Sequence, residues 1–183
     1  MSKVGIQCVK YSKRGEDGNF TGAKDISTLV TFNGTPNKTE AEDWGDNHRV
    51  ESSKSVNKIA LSIELNDMAG KEYADICGHE YEEATRKVTV KSTDNAPMIG
   101  IGAIGNSERN GKEVFVMKLY PNTQFGDPND DNSTETETKD YKHVTLDGTA
   151  YPDENKEIKI EQEFDTLEEA KAELDKLLSA PSV

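Results

Sequence analysis

Two alternating runs bracket a long polar stretch, and few folds can accommodate that arrangement. Before it lies Ile26-Ser27-Thr28-Leu29-Val30-Thr31-Phe32, β-branched and broadly alternating. After it lies Lys58-Ile59-Ala60-Leu61-Ser62-Ile63-Glu64-Leu65, which sets Ile59, Leu61, Ile63 and Leu65 on one face. Period-2 runs of this kind predict half-buried strands. Between them, residues 34–57 are polar and charged and hold the single tryptophan of the chain, Trp44. Loops in compact domains are far shorter as a rule, and one this long is functional or disordered. Ordering about 24 residues costs roughly 1–2 kcal/mol each in backbone entropy, about 25–50 kcal/mol in all. Ala41, Trp44, Val50 and Val56 bury too little apolar surface to offset that. The stretch is therefore either a loose surface loop or an arm ordered by another chain; Trp44 at its middle favours the arm.

The remaining patterns predict a mainly β, α+β domain. Val4–Tyr11 reads as a first strand, Arg86–Lys91 as a short one, Met98–Ile104 as another. Arg109-Asn110-Gly111-Lys112 supplies a hairpin turn, with Glu113–Tyr120 returning. Pro121 and the Gly126–Asn132 loop follow, and then alternating residues 133–149. Glu157–Phe164 reads as a last strand. Asn66-Asp67 is expected to cap a short helix ending near Cys77, with Ala69, Tyr73, Ile76 and Cys77 on one stripe and Gly78 as its stop. Thr166-Leu167-Glu168-Glu169 matches a capping box, and the helix it opens places Leu167, Ala170, Leu174, Leu177 and Leu178 on one face. The sum is one domain, residues 1–183, with an arm inserted at about 34–57. Seven to nine antiparallel strands form a β-sandwich or open barrel with flanking helices and a long extended hairpin arm.

Charge and composition narrow the functions. Hydrophobic residues make up 33% of the 183 and mean hydropathy is −0.80, so the charged stretches lie largely outside the core. A net charge of −13 repels phosphate and argues against nucleic-acid binding through basic patches. Cys8 and Cys77 are too few and too scattered for a disulfide framework and are expected as reduced, packed thiols. No apolar run reaches membrane-spanning length, and Met1-Ser2-Lys3-Val4-Gly5 begins no signal peptide; synthesis and folding in the cytoplasm are expected.

Gly100-Ile101-Gly102-Ala103-Ile104-Gly105 satisfies G-x-G-x-x-G by letter. The dinucleotide fingerprint needs a helix opening at the glycines, whereas here they sit inside an apolar run that leads to a turn. Gly100 and Gly102 share one strand face, left bare for close approach, and no cofactor is expected. His48, His79 and His143 have no paired metal spacing. Asp127, Asp130, Asp131 and Asn132 lack the glycine and glutamate of a calcium loop. No nucleophile elbow or acid pair argues for an enzyme. From Asp127 to Asp140 six carboxylates accompany one lysine, Lys139. Glu135 and Glu137, two apart, share a face; they form a solvated edge or an acidic wall along which DNA slides without binding.

Several segments in order resemble one family. They are Lys3-Val4-Gly5-Ile6-Gln7 with Lys10-Tyr11; Leu61–Asp67 through Ile76-Cys77-Gly78-His79; Asn95-Ala96-Pro97-Met98-Ile99-Gly100-Ile101-Gly102; Thr138-Lys139-Asp140; and Gly148-Thr149-Ala150-Tyr151 leading to Phe164-Asp165-Thr166. Across nearly the whole chain these resemble the major tail proteins, or tail tube proteins, of long-tailed non-contractile phages and prophages of Gram-positive bacteria. The resemblance implies a virion protein that forms hexameric rings stacked into a hollow tail tube. It also implies a tape-measure protein, a tail terminator and distal tail or baseplate proteins as partners, with double-stranded DNA passing through unread. The family's long loop reaches the adjacent ring, which makes Glu42, Asp43, Trp44, Asp46, His48 and Arg49 the expected ring-stacking contacts. Relatives often carry a more aliphatic, tyrosine-bearing stretch there. Glu135 and Glu137 become the expected lining of the lumen. The rival readings are a secretion-type tube ring, which needs no arm ordered only in the polymer, and a virion-attached adhesion or carbohydrate-binding module, which needs several exposed aromatics.

Overall fold

The computed structural model describes residues 2–15, 18–26, 29–45, 48–129 and 143–179, with 2–4, 39–45 and 48–54 given as backbone alone. In chain order these form β1 (Ser2–Lys13), β2 (Lys24–Asp25), β3 (Leu29–Gly45), β4 (His48–Leu65), α1 (Gly70–Cys77), β5 (Glu80–Glu82) and β6 (Lys87–Thr89). Then come β7 (Ile99–Arg109), β8 (Lys112–Phe125), β9 (Val144–Ala150), β10 (Ile160–Phe164) and α2 (Leu167–Leu177). One antiparallel sheet runs β2-β1-β7-β8-β9-β4-β3, with β10 also on β8; β5 and β6 form a separate ribbon. The fold is mainly antiparallel β, with two helices among the described residues, a β-sandwich-like α+β architecture, as the strand patterns predict.

The alternation in β4 decides where the core forms. Ile59, Leu61, Ile63 and Leu65 are all buried, and they meet Val9 and Tyr11 of β1, Ile99 and Ile101 of β7 and Leu146 of β9. Thus the β1–β7–β8 part of the sheet faces the β9–β4 part, and Ile76 and Cys77 of α1 pack into the same cluster. Strand β7 is buried on both faces from Ile99 to Ile104. Its other face carries Ile104, which joins Met117, Leu119 and the Ala170, Leu174 and Leu178 stripe of α2 in a second cluster. Thr166 caps α2 by accepting from the Glu169 backbone N–H, as the capping box requires.

The bare face at Gly100 and Gly102 has its explanation in α2. A Cβ at Gly100 would stand 2.6 Å from the Phe20 ring and 2.9 Å from Leu178 Cδ2, and one at Gly102 would overlap Leu174 Cδ1. The glycines let a helix lie directly on the strand. The hairpin turn behaves as expected too: Asn110 and Gly111 have φ of 52° and 76°, the two positive values a type I′ turn demands.

Four details depart from the sequence reading. Strand β8 does not stop at Pro121 but continues to Phe125; its register against β7 shifts between Ile99 and Ile101, and a bulge there tolerates a residue with no N–H to give. Helix α1 begins at Gly70, and Ala69 occupies its N-cap position without a side-chain cap. Asp67 instead accepts from the Met68 N–H, Ala69 is exposed, and Ala74 joins the buried stripe. The strand expected at 86–91 is half of a ribbon, paired with Glu80–Glu82. Finally, β10 begins only at Ile160, although Ile158 still packs on the core.

Candidate functional site: the projecting hairpin and its root

Strand β4 has two partners only along part of its length. From Leu65 back to Ile59 it lies between β3 and β9, and the last such rung aligns Pro36, Ile59 and Ala150. Beyond it the β3–β4 ladder continues from Asn37 opposite Lys58 to Gly45 opposite His48, with no third strand among the described residues. At about 3.3 Å per residue the two-stranded part extends roughly 30 Å. Burial stops at the same rung. Ile59 is 5% exposed, whereas Thr35–Lys38 and Ser55–Lys58 are exposed at every position, and so on both faces. Val56 alone leaves 42% of its surface open. A two-stranded hairpin is marginal in water by itself, and among the described residues the domain supports this one at its root.

That root is tight. Gly34 brings the β3 backbone over Tyr120, where a Cβ would stand 2.7 Å from the phenolic oxygen. Phe32 and Tyr120 place their rings 5.8 Å apart. Burial, with the Glu161 carboxylate as a lesser cause, pushes the Tyr120 pKa up to about 12, so the ring is a neutral anchor. The arm leaves a fixed base in a fixed direction.

Of the expected stacking residues, the ladder sets Glu42 opposite Ser52, Asp43 opposite Glu51, Trp44 opposite Arg49 and Gly45 opposite His48. Glu42, Asp43, Trp44, His48 and Arg49 therefore sit together at the distal end of the arm, with register shifts after Asn37 and Asp43 that add local twist. Asp46 falls outside the described residues, as do Glu135 and Glu137. The sequence expectation was an arm at about 34–57; the two-stranded ladder runs from Asn37 opposite Lys58 to Gly45 opposite His48.

Two further features surround the core. A groove of about 370 Å3 opens between β1 and β3, lined by Ile6, Val30, Phe32, Ala103, Val116 and Glu161 among others. Ile6 and Val30, each 39% exposed, stand at its rim, beside the edge of β3 that has no neighbour among the described residues. Exposed edges of this kind are templates for pairing with another chain. Elsewhere, at the C-terminal end of α1, His79 is held between two carboxylates. Its Nδ1 lies 2.9 Å from Asp94 Oδ2 and its Nε2 2.7 Å from Asp127 Oδ1. Burial opposes charge on this ring, but the two carboxylates outweigh it and raise the His79 pKa above its ordinary value. Cys8 and Cys77 are separate free thiols, and burial, aided by Asp127, pushes the Cys77 thiol up to about 12. The sequence offered no spacing for this cluster, because Asp127 arrives through the segment after β8, far along the chain from α1.

No helix among the described residues is long and apolar enough to cross a membrane. No protein-family model matches the chain, and no curated protein matches it.

Proposed function

We propose that this protein is a tail tube subunit: a structural virion protein whose copies close into rings, hexameric by family resemblance, and stack into the tube that conducts phage DNA. The observation that carries the reading is the hairpin that outruns its own sheet. Asn37–Gly45 and His48–Lys58 keep strand pairing where no third strand accompanies them among the described residues, which makes sense for an element completed by another copy. Contacts that close around the ring and stay open along the axis yield a filament of defined diameter. The edge of β3, which has no neighbour among the described residues, and the groove beside it suit lateral contacts, and the −13 charge keeps unassembled subunits apart.

On this reading the arm bearing Glu42, Asp43, Trp44, Asp46, His48 and Arg49 bridges successive rings, and Glu135 and Glu137 line the lumen. The tape-measure protein occupies that lumen during assembly, and the terminator and baseplate proteins cap the two ends. The subunit resides in the virion tail and has no catalytic role. Electron microscopy of the purified full-length protein at rising concentration tests this: rings and tubes of uniform diameter are expected. A protein that stays monomeric at every concentration, with or without salt to screen its charge, overturns it.

A further inference from the structure

We infer that Cys77, His79 and Asp127 form a zinc site that clamps the C-terminal end of α1 to the segment following β8. The inference is independent of tube assembly. One ligand atom from each residue lies within 4.8 Å of the others. A tetrahedral zinc, with Zn–N near 2.0 Å and Zn–S near 2.3 Å, holds its ligand atoms roughly 3.3–3.8 Å apart, so Asp127 must turn to exchange its 2.7 Å hydrogen bond to His79 Nε2 for a bond to the ion. Asp127 is suited to that turn, since its side chain is 51% exposed where the chain leaves β8. The His79 side chain, 3% exposed, is already fixed.

The surroundings are those of a metal ligand set. Gly78, at φ 84°, turns the chain between two of the ligands, and a Cβ there would overlap the Asn95 carbonyl oxygen. That turn is what brings Cys77 and His79 to one point. Asp94 accepts from His79 Nδ1 and also from the Lys91 backbone N–H. A carboxylate on the far nitrogen fixes the ring and its tautomer, the arrangement typical of histidine ligands. Nε2 then faces Asp127 and Cys77. The donor set of one sulfur, one nitrogen and one oxygen suits zinc and not calcium or magnesium, which require many oxygens. Thiolate and carboxylate neutralise the dication. Tyr73 stands beside the set, its hydroxyl 3.5 Å from Asp127 Oδ1, and water would complete the coordination. Binding expels the Cys77 thiol proton and any proton on Nε2, so affinity rises with pH.

Titrating the metal-stripped full-length protein with Co2+ tests the site. One equivalent is expected to bind with a thiolate-to-cobalt charge-transfer band and to be displaced by Zn2+, and Zn2+ is expected to raise the melting temperature. Cys77→Ser abolishes the band, and Asp94→Asn weakens binding about 10- to 100-fold. Asp127→Asn, at a half-exposed position where folding is not at stake, removes the melting shift. A charge-transfer band that survives Cys77→Ser overturns the assignment. So does failure of the folded wild type to bind Co2+, which would leave the cluster as a hydrogen-bonded latch.

Discussion

Gly102 of β7 lies directly beneath Leu174 of α2, so that a Cβ on the glycine would occupy the space of the leucine's Cδ1. Neither residue can change alone. Gly102→Ala is expected to destabilise the domain by about 1–3 kcal/mol through overpacking, and Leu174→Ala by about 2–5 kcal/mol through the cavity left behind. Gly126→Ala, whose Cβ would meet nothing closer than 3.8 Å, is the neutral control. Urea denaturation of the three variants checks the ranking.

Removing residues 38–54 and joining the strands with a short turn is expected to leave a folded domain. The deletion ends beyond the Pro36, Ile59 and Ala150 rung, where the core ends. Stability should change by less than about 1 kcal/mol, since the deletion stops short of the buried rung at Ile59, while axial stacking disappears. Thermal melting and sedimentation check the two halves separately; long tubes from the deleted protein would show that the arm is not the connector.

Trp44→Ala isolates the aromatic at the arm's end. Interface energy concentrates in buried aromatics, so the concentration needed for tube growth should rise more than about tenfold, with the melting temperature of the monomer unchanged. Light scattering against concentration measures it. An unaltered threshold would put Trp44 at the periphery of the contact.

Asp75 on α1 gives the acid side of the stability profile. Burial works against its charge, but Lys13 Nζ at 2.7 Å and Lys24 Nζ at 2.5 Å prevail and hold its carboxyl below the ordinary range. A depressed pKa contributes stability that is present above the unfolded value, near 3.9, and is lost as pH falls through the folded one. Denaturation between pH 7 and 2 should therefore show a loss that sets in below about pH 4. Asp75→Asn should cost about 1.5–3 kcal/mol at pH 7 and flatten that limb.

Much of this architecture was legible because burial follows period 2. Ile59, Leu61, Ile63 and Leu65 face the core as their alternation demands, and Asn110-Gly111 turns the hairpin by its positive φ values. Pro121 misled because a proline normally ends a strand; a bulge, which depends on the register of a neighbour, rescued it. The start of α1 was misplaced because Asp67 spends its oxygen on its own next residue's N–H and leaves Ala69 at the cap. The His79 cluster was beyond reach, since only tertiary packing brings Asp127 to α1. The two alternating runs marked the strands that carry the arm, and their pairing sets Glu42, Asp43, Trp44, His48 and Arg49 at one end.

Amide hydrogen exchange across residues 37–58 (read in dilute monomer and again after concentration-driven assembly) bears most directly on the claim that another copy completes the hairpin. Fast exchange in the monomer from Lys38 to Val56, beside protected amides at Ile59–Leu65, should give way to strong protection of the whole arm in the assembly. Slow exchange along the arm in the isolated monomer, or an arm that stays fast in the assembled state, would contradict it.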